Sequence, residues 1–276
     1  MNKILNRIIK NLQKPHQIPL KIFSKLEYLY NLKKYDQNIF ENEQNNTFNL
    51  LSLNRIGGIE NLNLVKKDLN LETYSKREMS SEHEVLFSSI SINKNLKINN
   101  ILEIGTYDGF NALLLSKLFP NAKIDTIDLP EDDNDFINFY GRKNLINEFI
   151  NKRNNLLSKN NNINFFPLNS LNLLNHKKKY DMIWVDGAHG YPTACIDIIN
   201  SINLINDNGL ILCDDIFKNI DHVNSDKIYH SIASYETLSE LQKQGLLKFK
   251  LIYKRLDPIN NCLNYKRKFV GILNKI

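Results

Sequence analysis

The segment Glu103-Ile104-Gly105-Thr106-Tyr107-Asp108-Gly109 follows an apolar run and precedes a helical pattern, which is where a backbone can pass close to a bound ligand. Gly105 can take a positive φ and Gly109 admits a close entry into the helix, so main-chain amides and Asp108 can face a cofactor. The spacing is G-x-x-x-G, whereas a pyrophosphate-gripping loop reads G-x-G-x-x-G. That favours a nucleoside cofactor without phosphates and disfavours a dinucleotide dehydrogenase. Asp128 stands 25 residues after Glu103 at the end of the next apolar run, where an acidic side chain can accept hydrogen bonds from both ribose hydroxyls. Asp125 is the weaker candidate. The bland reading of Asp128 is the start of a solvated acidic turn, Glu131 to Asp135.

A second group is Asp186-Gly187-Ala188-His189-Gly190-Tyr191, with Asp214-Asp215 beginning 28 residues after Asp186. Each lies at the end of an apolar run, and in a parallel sheet such ends share one edge, so Asp186, Asp214 and Asp215 can converge. Three carboxylates are hard oxygen ligands suited to Mg²⁺, and their mutual repulsion favours a cation. The structural alternatives are that the aspartates cap turns and that His189 only bonds its loop. Trp184 and Tyr191 read as packing residues, and Lys177 to Lys179 as a solvated turn.

The elements that must position these residues alternate from residue 81 onward. Helix Glu82–Ile92 leads to strand Ile101–Ile104, helix Phe110–Phe119 and strand Lys123–Asp128. Helix Arg142–Leu157, strands Ile163–Leu168 and Met182–Asp186, helix Thr193–Leu204 and strand Leu210–Cys213 follow. After a helix around Ser231–Gln244, runs Leu247–Arg255 and Tyr265–Leu273 form a closing hairpin around a loop with Pro258 and Asn260-Asn261. Strands alternating with helices imply a parallel sheet covered on both faces. Residues 1–80 are more polar and weakly periodic, with a helix over Ile18–Leu32 and a turn at Gly57-Gly58, and read as an accessory segment before a domain spanning 81–276.

The 276-residue chain is 42% hydrophobic and 24% charged, the composition of a folded protein. It contains no apolar run long enough to span a membrane and no signal-peptide core, so a cytoplasmic location is expected. Cys195, Cys213 and Cys262 form no Cys-x-x-Cys unit and are expected to be reduced. The net charge of +6 is spread along the chain among abundant Asn and Ile, which does not mark a nucleic-acid partner.

The E-I-G-T-Y-D-G loop, the I-D-L strand end and the V-D-G-A-H-G-Y stretch resemble class I S-adenosylmethionine-dependent methyltransferases over residues 81–276. The resemblance implies a Rossmann-like, doubly wound α/β fold with a mostly parallel sheet and a C-terminal antiparallel hairpin. It also implies that Glu103, Gly105, Thr106, Tyr107, Asp108 and Gly109 cradle the methionine part of S-adenosylmethionine, with Asp128 on the ribose and Ser170 beside the adenine. The acidic cluster is similar to the metal-dependent O-methyltransferase branch that includes sugar- and macrolide-modifying enzymes. By that likeness Asp186, Asp214 and Asp215 hold Mg²⁺ and His189 is the general base. Other relatives carry an acidic residue where this chain has Ala188, and proteins described as hydroxylases share the motif.

The expected activity is Mg²⁺-dependent O-methylation of a hydroxyl on a sugar or other small polyol, with a small molecule or a glycan precursor as the acceptor. The rivals are a metal-independent methyltransferase acting on RNA and a non-catalytic cofactor-binding module. Homo-oligomer formation is left open.

Overall fold

Side chains that alternate along the strands build a sheet buried on both faces. The computed structural model describes residues 17–138, 145–221 and 230–276. Strands β1 (Asn100–Ile104), β2 (Lys123–Asp128), β3 (Ile163–Pro167), β4 (Tyr180–Val185) and β5 (Ile205–Ile216) pair in parallel. Strands β6 (Leu247–Tyr253) and β7 (Phe269–Lys275) complete the order β3-β2-β1-β4-β5-β7-β6, with β7 antiparallel to both neighbours. This is a Rossmann-like fold with the expected antiparallel hairpin. Along β4, Met182 and Trp184 enter one core cluster while Ile183 and Val185 enter the other, the two-residue period of a strand covered on both sides.

The helices are α1 (Gln17–Leu32), α2 (Gln37–Leu50), α3 (Arg55–Asp68), α4 (Ser81–Ser91) and α5 (Phe110–Leu118), then α6 (Asn134–Asn138) and α7 (Ile146–Leu157). They continue with α8 (Thr193–Leu204), α9 (Ala233–Lys243) and the short α10 (Pro258–Asn261). The expected start of the helix at Arg142 lies outside the described residues. The last strand begins at Phe269 rather than Tyr265, because the intervening chain winds into α10 and a 3₁₀ turn at Asn264–Lys266. Strand β5 is longer than expected at both ends, since Asn206 to Gly209 carry no apolar pattern to reveal it.

The turn expected at Gly57-Gly58 is instead the first part of α3. The Asn54 side chain caps this helix by accepting from the Gly57 N–H at 3.0 Å. A Cβ at Gly58 would lie 2.0 Å from Ser89 Oγ, so this glycine lets α3 close on α4. Phe48 and Leu62, from α2 and α3, sit with Phe87 of α4 and Trp184 of β4 in one buried cluster. Polar groups reinforce the join: Arg55 grips the fully buried Glu82 carboxylate through Nε at 2.9 Å and Nη2 at 2.7 Å. Tyr74 and Gln44 also donate to that carboxylate.

Removing one partner of such a buried pair strands the other charge. Arg55→Met is therefore expected to destabilise the fold by about 3–5 kcal/mol, read as a lower urea midpoint at unchanged slope. A loss under about 1 kcal/mol would show that Glu82 finds other partners.

Candidate active site

Parallel register lays the carboxyl ends of four strands along one edge. Ile104 pairs with Ile127 on one side and Val185 on the other, and Val185 pairs with Cys213. The next residues in each chain, Gly105, Asp128, Asp186 and Asp214, therefore line a common rim, where ligands bind in open α/β sheets.

Gly105 has φ +106°, and a Cβ there would lie 2.2 Å from the Asp186 carbonyl oxygen. Only glycine allows the loop to pass this closely over β4. Gly109 has φ +81° as it enters α5, and its Cβ would lie 2.9 Å from Leu157 of α7. Tyr107 is 47% exposed at the loop crest, and its ring lies near Phe149, with centroids 5.4 Å apart. The Tyr107 N–H donates to Asp128 Oδ2 at 2.9 Å and the Leu129 N–H to Oδ1 at 2.9 Å, which fixes the carboxylate beside the loop.

Other residues of the motif turn inward. Asp108 accepts from the Phe110 N–H at 3.0 Å, so its oxygen serves the start of α5. Thr106 is buried, its hydroxyl 2.6 Å from that of Thr126. Glu103 is fully buried and accepts from Asn111 Nδ2 at 2.7 Å and from Thr126 Oγ1, tying α5 and β2 to β1. Ser170 opens the 3₁₀ turn after β3 and accepts from Asn200 through its carbonyl at 3.0 Å. The weaker ribose candidate, Asp125, is engaged elsewhere: Lys178, Tyr180 and Asn164 all donate to it. Lys178 is thus an anchor for a buried carboxylate and not simply part of a solvated turn. Trp184 packs against Phe87 and His83, as a core residue does, whereas Tyr191 is 58% exposed.

Burial raises the Glu103 pKa from 4.5 to about 7, against the pull of its hydrogen bonds to Thr126 and Asn111. With a folded value above the unfolded one, the protonated form's stabilisation is full below pH 4.5 and is lost as pH rises to about 7. Glu103→Gln keeps the shape and removes the charge. It is expected to stabilise the fold by roughly 3 kcal/mol at pH 8.5 and by little at pH 4.5, measured by urea unfolding. Equal effects at both pH values would refute a titrating Glu103.

The second cluster does form. Asp214 and Asp215 act electrostatically on both Asp186 and His189. His189 Nε2 is 3.8 Å from Asp215 Oδ2, and His83 Nδ1 of α4 is 3.8 Å from Asp214 Oδ1. Burial lowers the His189 pKa below its usual value, although Asp215 works the other way, so the imidazole is neutral near neutral pH. Burial and then the Asp214 charge raise Asp186 well above the carboxylate range. Beneath the loop, Asp197 of α8 is buried and its pKa rises to about 6 for that reason.

The Mg²⁺ expectation does not fit this arrangement. Lys254 Nζ donates to both Asp214 Oδ2 and Asp215 Oδ1, and Lys268 donates to Asp215 Oδ2. Burial opposes ionisation of Asp214, but Lys254 and His83 outweigh it and hold the carboxyl well below its usual range. Among the described residues no group of three His, Cys, Asp or Glu side chains is arranged to hold a metal ion.

Lys254, Lys268 and His83 carry no sequence motif. The one available signal was Glu82-His83-Glu84, a dense polar cluster opening an apolar helix. No helix among the described residues is long and apolar enough to cross a membrane.

Residues 102–216 match a family model described as a methyltransferase domain. No curated protein sequence matches the chain. Among solved structures, an SAH-bound methyltransferase from Podospora anserina is 15% identical, with 80% of this chain and 88% of that one covered, at a TM-score of 0.48. An O-methyltransferase family protein from Burkholderia thailandensis is 13% identical at a TM-score of 0.45, with 72% of this chain covered, and the chain spans only 58% of its length. The N-methyltransferase NodS from Bradyrhizobium japonicum is 12% identical at 0.46, with 71% of this chain and 96% of that one covered.

Proposed function

We propose that residues 102–216, which match the methyltransferase-domain model, form a class I S-adenosylmethionine-dependent methyltransferase domain that methylates a hydroxyl group on a sugar or other small polyol. The supporting observation is the shared rim. The glycine cradle at Gly105 passes so close to the Asp186 backbone that it leaves no room for a Cβ, and Asp186 opens the loop that carries the neutral His189. In this reading Gly105 and the Tyr107 backbone shape the floor for the methionine part, and Asp128, held by two backbone N–H groups, receives the ribose hydroxyls. Glu103 braces the loop from inside the sheet.

When bound, S-adenosylmethionine supplies an electrophilic methyl group on its sulfonium. His189 would accept the proton that the acceptor hydroxyl loses when its oxygen takes the methyl group and S-adenosylhomocysteine leaves, a role for which a neutral imidazole is suited. A pocket that holds donor and acceptor together would contribute through proximity.

Calorimetric titration with S-adenosylmethionine, S-adenosylhomocysteine and NAD tests the cofactor reading. Binding of the first two and not the third is expected. Transfer of a labelled methyl group to a panel of sugars, polyols, catechols and RNA then tests the acceptor. Label appearing only in RNA would sink the sugar reading and leave the cofactor reading standing.

A further inference from the structure

The acidic cluster already contains its cation. Asp214 and Asp215 are consecutive in β5, and in a regular strand their side chains would leave opposite faces of the sheet. Here the pairing of β5 with β7 shifts register between Cys213 and Ile216, and Asp215 takes a left-handed φ of 52°. The irregularity breaks the alternation and brings both carboxylates onto one nitrogen, Lys254 Nζ.

Lys254 is not a surface side chain that has folded over. It is 4% exposed, and its backbone is fixed from two elements: its N–H donates to the Lys268 carbonyl at 2.9 Å, and its carbonyl accepts from the Glu82 N–H at 3.3 Å. The preceding residue, Tyr253, is bracketed by Gln44, which donates to its carbonyl at 3.1 Å and accepts from its N–H at 2.8 Å. The second ammonium, Lys268, completes a balance of two positive charges against Asp214 and Asp215. A divalent ion between those carboxylates would have to sit where the Lys254 ammonium sits, or beside it with like charges in contact.

We propose that the Lys254 ammonium is a built-in substitute for a divalent ion: it neutralises Asp214 and Asp215 at the rim and denies that position to Mg²⁺ or Mn²⁺. That this rim borders a methyl donor rests on the methyltransferase reading; the exclusion of the ion does not. The same lysine also makes placement of the α2–α4 segment a condition of the site, because Gln44 and Glu82 hold the backbone that carries it.

Titration of the purified full chain with Mn²⁺, followed by electron paramagnetic resonance of the free ion and by thermal shift, reads this directly. The wild-type chain is expected to bind Mn²⁺ no tighter than about 1 mM, with no change in melting temperature on adding EDTA. Lys254→Met keeps the packing of the stem but removes the charge, and is expected to gain at least about 30-fold in Mn²⁺ affinity. The gain should vanish in the double variant with Asp214→Asn. Lys254→Gln serves as the second variant if the methionine form is insoluble.

Wild-type binding tighter than about 100 µM that Asp214→Asn weakens would overturn the proposal, and so would an unchanged Mn²⁺ affinity in the Lys254 variants. If neither variant folds, the wild-type titration decides alone. Failure of methyl transfer would leave this titration unaffected, and tight Mn²⁺ binding would leave the cofactor titration unaffected.

Discussion

Replacing His189 with alanine is expected to lower the turnover number by about 10² to 10⁴-fold while changing S-adenosylhomocysteine affinity by no more than about twofold. The histidine is placed by the loop after β4 and lies 3.8 Å from Asp215, whereas the glycine cradle that shapes the cofactor floor is built on the Asp186 backbone and not on the His189 side chain. A structural role alone would not give the second signature. In the wild-type chain the rate should be full where the imidazole is neutral and fall as pH drops through its pKa. Burial has moved that pKa below the ordinary value of 6.5, so the acid limb should lie below that pH. The alanine variant should lose this limb, and added imidazole should restore part of the rate. A variant that keeps both the wild-type rate and the limb would remove His189 from the chemistry and point to the neighbouring Asp186.

Gly105→Ala should produce the largest combined loss. A Cβ at that position meets a backbone carbonyl oxygen at 2.2 Å, which no rotamer change can relieve, and the residue also has φ +106°. The loop must lift away from β4, taking with it the Tyr107 N–H that orients Asp128. A stability loss of about 3 kcal/mol or more and a cofactor affinity at least about 100-fold weaker are expected, from chemical denaturation and calorimetry. Gly245 supplies the control: its φ is +74° but a Cβ there meets nothing within 4 Å. Gly245→Ala should show only the cost of the left-handed backbone, about 1–2 kcal/mol, and unaltered cofactor binding. Similar losses at both sites would mean that backbone conformation, and not the close approach to β4, is what Gly105 provides.

Much of the chemistry was legible because it is local. The apolar run Ile101 to Ile104, its glycine loop and the helix after it are contiguous, and the strand ends at Asp128 and Asp186 follow from the acid at which each apolar run stops. The same patterns placed α8 and β2 at their observed bounds. Composition-level cues misled where a residue type has two uses. The pair Gly57-Gly58 signals a turn, but here the glycines let two helices approach. Within the motif, a hydrogen-bonding side chain such as Asp108 or Thr106 has partners on either side of the loop, and the sequence does not say which side it takes.

The amino-acid order alone determined the α/β alternation, the glycine loop and the carboxylates at the strand ends, because each depends on neighbours a few residues apart. Only the tertiary structure decided what surrounds those carboxylates. Lys254 reaches Asp214 and Asp215 across 40 and 39 positions of chain, through a register shift in β5 and a backbone held by Gln44 and Glu82 from the first third of the protein. Whether three acids attract a metal ion or an ammonium depends on which positive group the fold delivers to them. That delivery depends on long-range packing, for which no short pattern stands in.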